Sequence, residues 1–393
     1  MSEEPTREAV AESRRQNRTT DFSRRGFIGA NSAIVLSALA GCIGSSGDGD
    51  VTLDPDNPPE EPDSITVRAW GGVWQDSVEE AIAEPFTEDT GIDVEFDNTE
   101  RTVMQGDIRT AIEQDREPAV NVMWTVEPAA HEEYRMDLGY PLEPDIVTNH
   151  EELFDSAIPN VDDSLPYISL YSYTYALCYN EESLEEVHGS EEPMDSWAAL
   201  KDDQWENEFA IDANGNGFFP VLSEFADTPL DSDDLDPIWD ELEAFEPSIG
   251  LLGDDPTLTE GIRTGEVSVA AMLMNNVYEA YEEGEPIGWT IPEEGATVRS
   301  DSMYTPRNQS ESELYWSQEF INYAADADVQ TEWTELLGLP MTNSNTDPLD
   351  YMEEDPAYPT SEEDYDGLLT VDLDVYAENS SEWFETFNNT VGS

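Results

Sequence analysis

From Ser64 the chain alternates polar and apolar positions through Ile65, Val67 and Ala69 to Trp70, where Gly71-Gly72 stops the pattern. A period of two over seven residues predicts a half-buried strand. Residues 75–90 then carry Val78, Ala81, Ile82 and Phe86 at helical spacing, Thr90-Gly91 closes the helix, and residues 92–96 read as a second strand. The alternation continues with a helix over 104–113, a strand over 119–124 and a helix over 128–138. Later come a strand around 173–179, helices near 195–200 and 218–225, and a strand at 267–273. A last helix over 375–387 sets Trp383, Phe384 and Phe387 on one face, after an acidic, proline-dotted stretch at 345–366. Strand, helix and strand with short connections predict an α/β fold with a parallel sheet and crossover helices. No internal repeat is evident.

Ahead of this pattern the chain is different in kind. Ser23-Arg24-Arg25-Gly26-Phe27-Ile28 opens an apolar run that ends Leu39-Ala40-Gly41-Cys42. The run, 27–40, is shorter than the roughly 20 residues a membrane-spanning helix needs. Paired Arg24 and Arg25, a short apolar middle and small residues before Cys42 read as a twin-arginine export signal closed by a lipoprotein box. The expected mature chain begins at a lipidated Cys42; an uncleaved anchor helix is the other reading, and both place the domain outside the cell. Residues 43–63, rich in Gly, Ser, Pro and acid, read as a solvated tether.

The charge balance is extreme, with 91 Asp and Glu against 15 Lys and Arg and a net charge of −76. Six of the 14 arginines precede Cys42, leaving eight and the single lysine, Lys201, beyond it. Self-repulsion of this size opposes compaction at low salt, whereas at molar salt the Debye length falls to about 3 Å. With 38% hydrophobic and 10% aromatic residues the chain is no disordered acidic tail. It resembles secreted haloarchaeal proteins, and its acidity excludes nucleic acid as a partner. Besides Cys42 there is only Cys178, within an apolar run, so no intramolecular disulfide is expected and Cys178 reads as a small core residue. The roughly 330 residues past the tether are enough for two domains.

Four ordered stretches carry a family resemblance. Residues 65–72 lead into Glu84-Pro85-Phe86-Thr87-Glu88-Asp89-Thr90-Gly91-Ile92-Asp93-Val94; Asp195-Ser196-Trp197-Ala198-Ala199-Leu200 follows; then Gly265-Glu266-Val267-Ser268-Val269-Ala270; and last Asp301-Ser302-Met303-Tyr304-Thr305-Pro306 with Phe320-Ile321-Asn322-Tyr323 and Leu337-Gly338-Leu339-Pro340-Met341-Thr342-Asn343. Together they resemble type II extracellular solute-binding proteins, the receptors of ABC importers, and among them the spermidine/putrescine-binding branch. The resemblance implies a two-lobed α/β fold of the type II periplasmic-binding-protein kind, with a hinge and an interlobe cleft that closes on a ligand. It implies a first lobe from 64–172 and 301–345, a second from 173–300, and an acidic C-terminal extension over 346–393, behind a 1–41 leader and a 42–63 linker. It implies a monomeric receptor rather than an enzyme, without cofactor or metal. The partners would be a small-molecule solute, a permease and an ATPase, with the membrane touched only through the lipid. A secreted hydrolase of the carboxylate type is the competing class; His131, His150 and His188 show no metal or triad spacing.

Ligands of open α/β sheets sit at the carboxyl ends of strands. Those ends carry Trp70, Gly71, Gly72, Trp124, Thr125, Asn214, Asn216, Asn275, Arg299 and Asp301, with Tyr173 on a strand whose Tyr171, Tyr173 and Tyr175 share one face. By the resemblance, a polyamine receptor would hold its ligand between tryptophans and carboxylates. Here the family's tryptophan before Asp301 is Arg299, its tryptophan after the return strand is Met274, and its second-lobe acids fall on Asn214 and Gly217. An arginine there favours carboxylate or phosphate, and the 214–217 loop opening a helix favours an anion. The expected ligand is therefore anionic or zwitterionic, with its anion on Arg299 and the loop and any cation on Asp301. The alternative is an internal Arg299–Asp301 pair. Asp212, Asn214, Asn216 and Gly217 also match the first half of a calcium loop, but position 12 is Ser223.

Overall fold

The computed structural model describes residues 51, 53–190 and 194–392. Arg24, Arg25 and Cys42 lie outside the described residues. The first β–α–β unit forms where the periodicity places it. Strand β1 (Ser64–Arg68) is followed by α1 (Val73–Val78), a π-turn at Glu79–Ala83, α2 (Glu84–Thr90) and β2 (Asp93–Asp97). Gly91, at φ 80°, ends α2 in the left-handed conformation that glycine adopts without strain.

The chain continues through α3 (Arg101–Glu113), β3 (Val122–Val126), α4 (Glu127–Arg135), β4 (Gly139–Tyr140), β5 (Ile168–Asn180), α5 (Glu181–His188) and β6 (Phe209–Asp212). Then come α6 (Phe219–Ala226), α7 (Asp236–Phe245), β7 (Ile249–Gly253), α8 (Asp255–Thr264), β8 (Val269–Leu273), α9 (Asn275–Glu282), β9 (Ile287–Thr290) and β10 (Thr297–Pro306). Helices α10 (Glu311–Ala324), α11 (Ala327–Leu337), α12 (Glu362–Tyr365) and α13 (Leu373–Val391) complete it. The helix expected near 195–200 is only a 3-10 turn, Trp197–Lys201, its Ala198 amide capped by Ser196.

All ten strands belong to one sheet, ordered β2-β1-β3-β10-β5-β8-β6-β7, with β4 on β10 and β9 on β5. Parallel strands make both ends: β1 with β2 and β3, and β6 with β7 and β8. Between them β5 and β10 run antiparallel to each other and to their outer neighbours. The result is two α/β lobes joined by a shared ribbon. The first lobe closes around Ile65, Val67, Ile82, Phe86, Trp124, Phe320 and Trp333. The second closes around Trp197, Trp205, Phe209, Phe218, Leu242 and Phe245.

Two segments differ from expectation. The residues read as a free tether are docked from Val51 onward: Leu53 is buried with Ile146, Leu314 and Tyr315, Tyr140 donates to the Val51 carbonyl, and Trp316 Nε1 donates to the Pro59 carbonyl at 3.2 Å. Two apolar residues among the acids suffice to hold that stretch on the first lobe. The acidic extension is likewise no appendage. Met352, Ala357 and Tyr358 pack with Met272, Val277 and Ile287, while Trp383 and Phe387 complete the core around Phe219. Aromatic burial outweighs the surrounding charge. Among the described residues no helix is long and apolar enough to cross a membrane.

Candidate functional site

The β5–β10 ribbon positions the chemistry. Its register pairs Thr297 with Tyr175, Arg299 with Tyr173 and Asp301 with Tyr171. Strand alternation puts these six side chains on one face. The opposite face is covered by the C-terminal segment: Ser172 Oγ lies 2.6 Å from the Tyr365 hydroxyl, and Thr174 Oγ1 donates to the Ala357 carbonyl at 2.8 Å.

Asp301 is buried, and its carboxylate accepts from the Tyr171 hydroxyl and, at 3.0 Å, from the Tyr173 hydroxyl. Tyr171 in turn accepts from Trp74 Nε1 at 2.9 Å. Burial pushes the Asp301 carboxyl up to about 7, against the opposing pull of the two phenols and Arg68. Trp74 also joins an edge-to-face chain, 4.9 Å from Trp70 and 4.7 Å from Trp124. Arg68 donates to the Trp124 carbonyl at 2.9 Å and stacks 5.0 Å from the Trp70 ring centre.

Trp124 and Thr125 are both fully buried, and Trp124 packs with Trp333 inside the first lobe. Gly71 and Gly72 are exposed. Gly72 needs its glycine for φ 71°, whereas a Cβ at Gly71 would meet only Asn98, at 3.8 Å. The pair makes a turn after β1. Met274 is a core residue. Cys178 is buried and unpaired, its thiol raised by burial.

Arg299 is only 6% exposed. Its guanidinium stands 5.4 Å from the ring centre of Tyr376 on α13, and its Nε has no hydrogen-bond partner. No Arg299–Asp301 ion pair forms among the described residues, because the tyrosines hold the carboxylate. Glu127, half-buried at the start of α4, is pushed up to about 7 by burial, with Arg299 opposing and Asp301 adding to the rise. Two buried cations, Arg299 acting on Glu127 and Arg68 acting on Asp301, thus share a neighbourhood with two carboxyls near neutrality. Buried polar atoms are nearly always paired, yet Trp124 Nε1, Thr125 Oγ1, Asn275 Oδ1 and Thr297 Oγ1 join Arg299 Nε without partners.

The 212–217 loop turns its amides inward. Asp212 Oδ1 accepts from the Asn214 and Asn216 amides at 2.9 and 3.4 Å, which leaves neither to greet an anion. Asn214 is exposed, and Asn216 accepts from the Tyr376 hydroxyl at 2.9 Å. Among the described residues no cluster of His, Cys, Asp and Glu could hold a metal. Tyr376 therefore links Asn216 to Arg299, while Trp70, Tyr173 and Asp301 belong to the aromatic group around Trp74. Asn275 opens α9, and its amide donates to Asn276 at 3.4 Å. Trp74, Glu127 and Tyr376 escape a reading of strand ends, Trp74 and Glu127 lying just past two of them, while Arg68, the last residue of β1, is passed over in favour of Trp70.

The fold has many solved counterparts. The spermidine/putrescine ABC transporter substrate-binding protein PotD from Streptococcus pneumoniae is 18% identical with a TM-score of 0.68, over 84% of this chain and 100% of that one. An ABC transporter from Clostridium perfringens is 17% identical with a TM-score of 0.67, over 83% and 99%. The Atu4243-GABA receptor is 18% identical with a TM-score of 0.68, over 84% and 97%. No curated protein sequence matches the chain. The family model for bacterial extracellular solute-binding proteins matches residues 81–360, and the chain belongs to that family.

Proposed function

We propose that this protein is the extracellular solute receptor of an ABC importer, tethered by a lipid on Cys42 after twin-arginine export, and that its solute is a small organic anion or zwitterion. The receptor hands the solute from the interlobe cleft to a permease and its ATPase. The observation that carries the solute class is Arg299, buried on the ribbon with an unpartnered Nε. Guanidinium binds carboxylate bidentately. A polyamine would meet that cation, and the carboxylate it would need, Asp301, is engaged by two phenols.

A thermal-shift screen at molar salt tests this, with 4-aminobutyrate, amino acids, opines and phosphonates set against spermidine and putrescine. A bound solute at a hundred times its Kd stabilises by about 2.7 kcal/mol. The expected result is a shift with a carboxylate or phosphonate and none with the polyamines, abolished by Arg299→Ala. A shift that survives Arg299→Ala, or one produced by spermidine, contradicts the proposed solute class.

Affinity for the anion should also fall as pH rises through about 7. There Glu127, which faces Arg299, and Asp301, which faces Arg68, ionise and repel the solute. The stability of the free protein follows the same sign. Both carboxyls bind protons more tightly folded than unfolded, so stability declines from about pH 4 to about pH 7 and levels off above. Melting temperatures across that range, with and without solute, check both statements.

A further inference from the structure

Helix α13 has two working faces. Residues 374 and 378 lie on one side, and 376, 383 and 387 fall roughly half a turn away at about 100° per residue. The second side belongs to the second lobe. There Trp383 and Phe387 are buried, Phe387 fills the space in front of Gly215, and Tyr376 donates to Asn216. The first side faces α4 of the first lobe. Asp374 accepts from His131 Nε2 at 2.7 Å and from Arg135, and Arg135 reaches Glu378 at 3.4 Å. The other ring nitrogen of His131 lies 3.3 Å from the Tyr167 hydroxyl. Leu373, in the same turn, packs against core clusters of both lobes.

We propose that α13 is a latch across the cleft: a helix embedded in the second lobe whose first two turns grip α4 of the first and hold the lobes together with Tyr376 over Arg299. Opening the cleft separates Asp374 and Glu378 from His131 and Arg135 while the aromatic face stays seated. Asp374 and Arg135 are 58% and 40% exposed, so the grip is made in water and is weak enough to be reversible. The Asp374 carboxyl is held below its ordinary value, first by His131 and then by Arg135, as expected of a group bound across the gap. This inference needs the two lobes only and is independent of which solute binds.

The test measures the distance between lobes in the full chain, with Cys42 replaced by serine and spin labels at Val103→Cys and Asp240→Cys, by pulsed electron resonance at molar salt without solute. Cys178 is buried and stays unlabelled. The latch is broken from one side by Asp374→Asn with Glu378→Gln, and from the other by Arg135→Gln. Both should shift the distribution to longer distances, and the conservative Asp374→Glu should keep the parent distribution. Unchanged distances in the two broken variants overturn the proposal, as does a shift in Asp374→Glu equal to theirs.

Discussion

Replacing Trp333 by alanine is expected to lower folding stability by about 3–5 kcal/mol, the range for truncating a fully buried tryptophan. Trp333 lies on α11 with no exposed surface, its ring centre 5.4 Å from that of Trp124 and 5.2 Å from that of Tyr171. Its Nε1 donates to Ser77 Oγ at 3.1 Å. Truncation therefore empties the centre of the first lobe, where α1, β3, β5 and α11 meet, and removes one flank of the phenol that binds Asp301. Denaturant titration at molar salt measures the effect as a fall in midpoint. Leu336→Ala, three residues away and 39% exposed, is the control. Equal shifts for the two would show that the first lobe does not close on Trp333.

Gly217→Ala should cost about 1–3 kcal/mol, the typical penalty of overpacking, and should also remove solute binding. Its backbone needs no special φ, so the argument rests on space alone. A Cβ at Gly217 would lie 2.9 Å from Tyr175 Cε1 and closer still to Cγ and Cδ1. Tyr175 cannot retreat along the sheet, since its backbone is paired with Thr297 on one side and Leu273 on the other. The ring must swing on its own bond, away from its place on the Tyr171, Tyr173 and Tyr175 face. Melting temperature together with the solute-induced shift reads both consequences. A variant that is destabilised yet binds normally would place the solute away from Tyr175.

The first β–α–β unit was legible because its period of two and its helical spacing read through the π-turn at Glu79–Ala83, and β8 and α13 were found the same way. Periodicity is weaker where both faces of a strand are buried. Trp124 and Thr125 lie within β3, and nothing local shows that both are covered. Register across long separations is hidden altogether. The shared face of Tyr171, Tyr173 and Tyr175 follows from alternation, but their meeting with Asp301 depends on antiparallel pairing across some 130 residues. The union of Asp374 with His131 spans 243 positions, and neither residue carries a local sign of it. Arg299 stood out because basic residues are so few. Its partner Tyr376 lies in a helix whose apolar face reads simply as core.

The docking of the residues after Val51 shortens the leash. If Cys42 is lipidated, about nine residues separate the bilayer from the first docked contact, and at about 3.5 Å each they reach roughly 30 Å when taut. The attachment point lies beside α10, on the first lobe only. That lobe would then behave as the mounted half of a bivalve and the second as the free valve. Each closure would register at the membrane as a swing of the second lobe, a displacement that a permease below could sense before any solute changes hands.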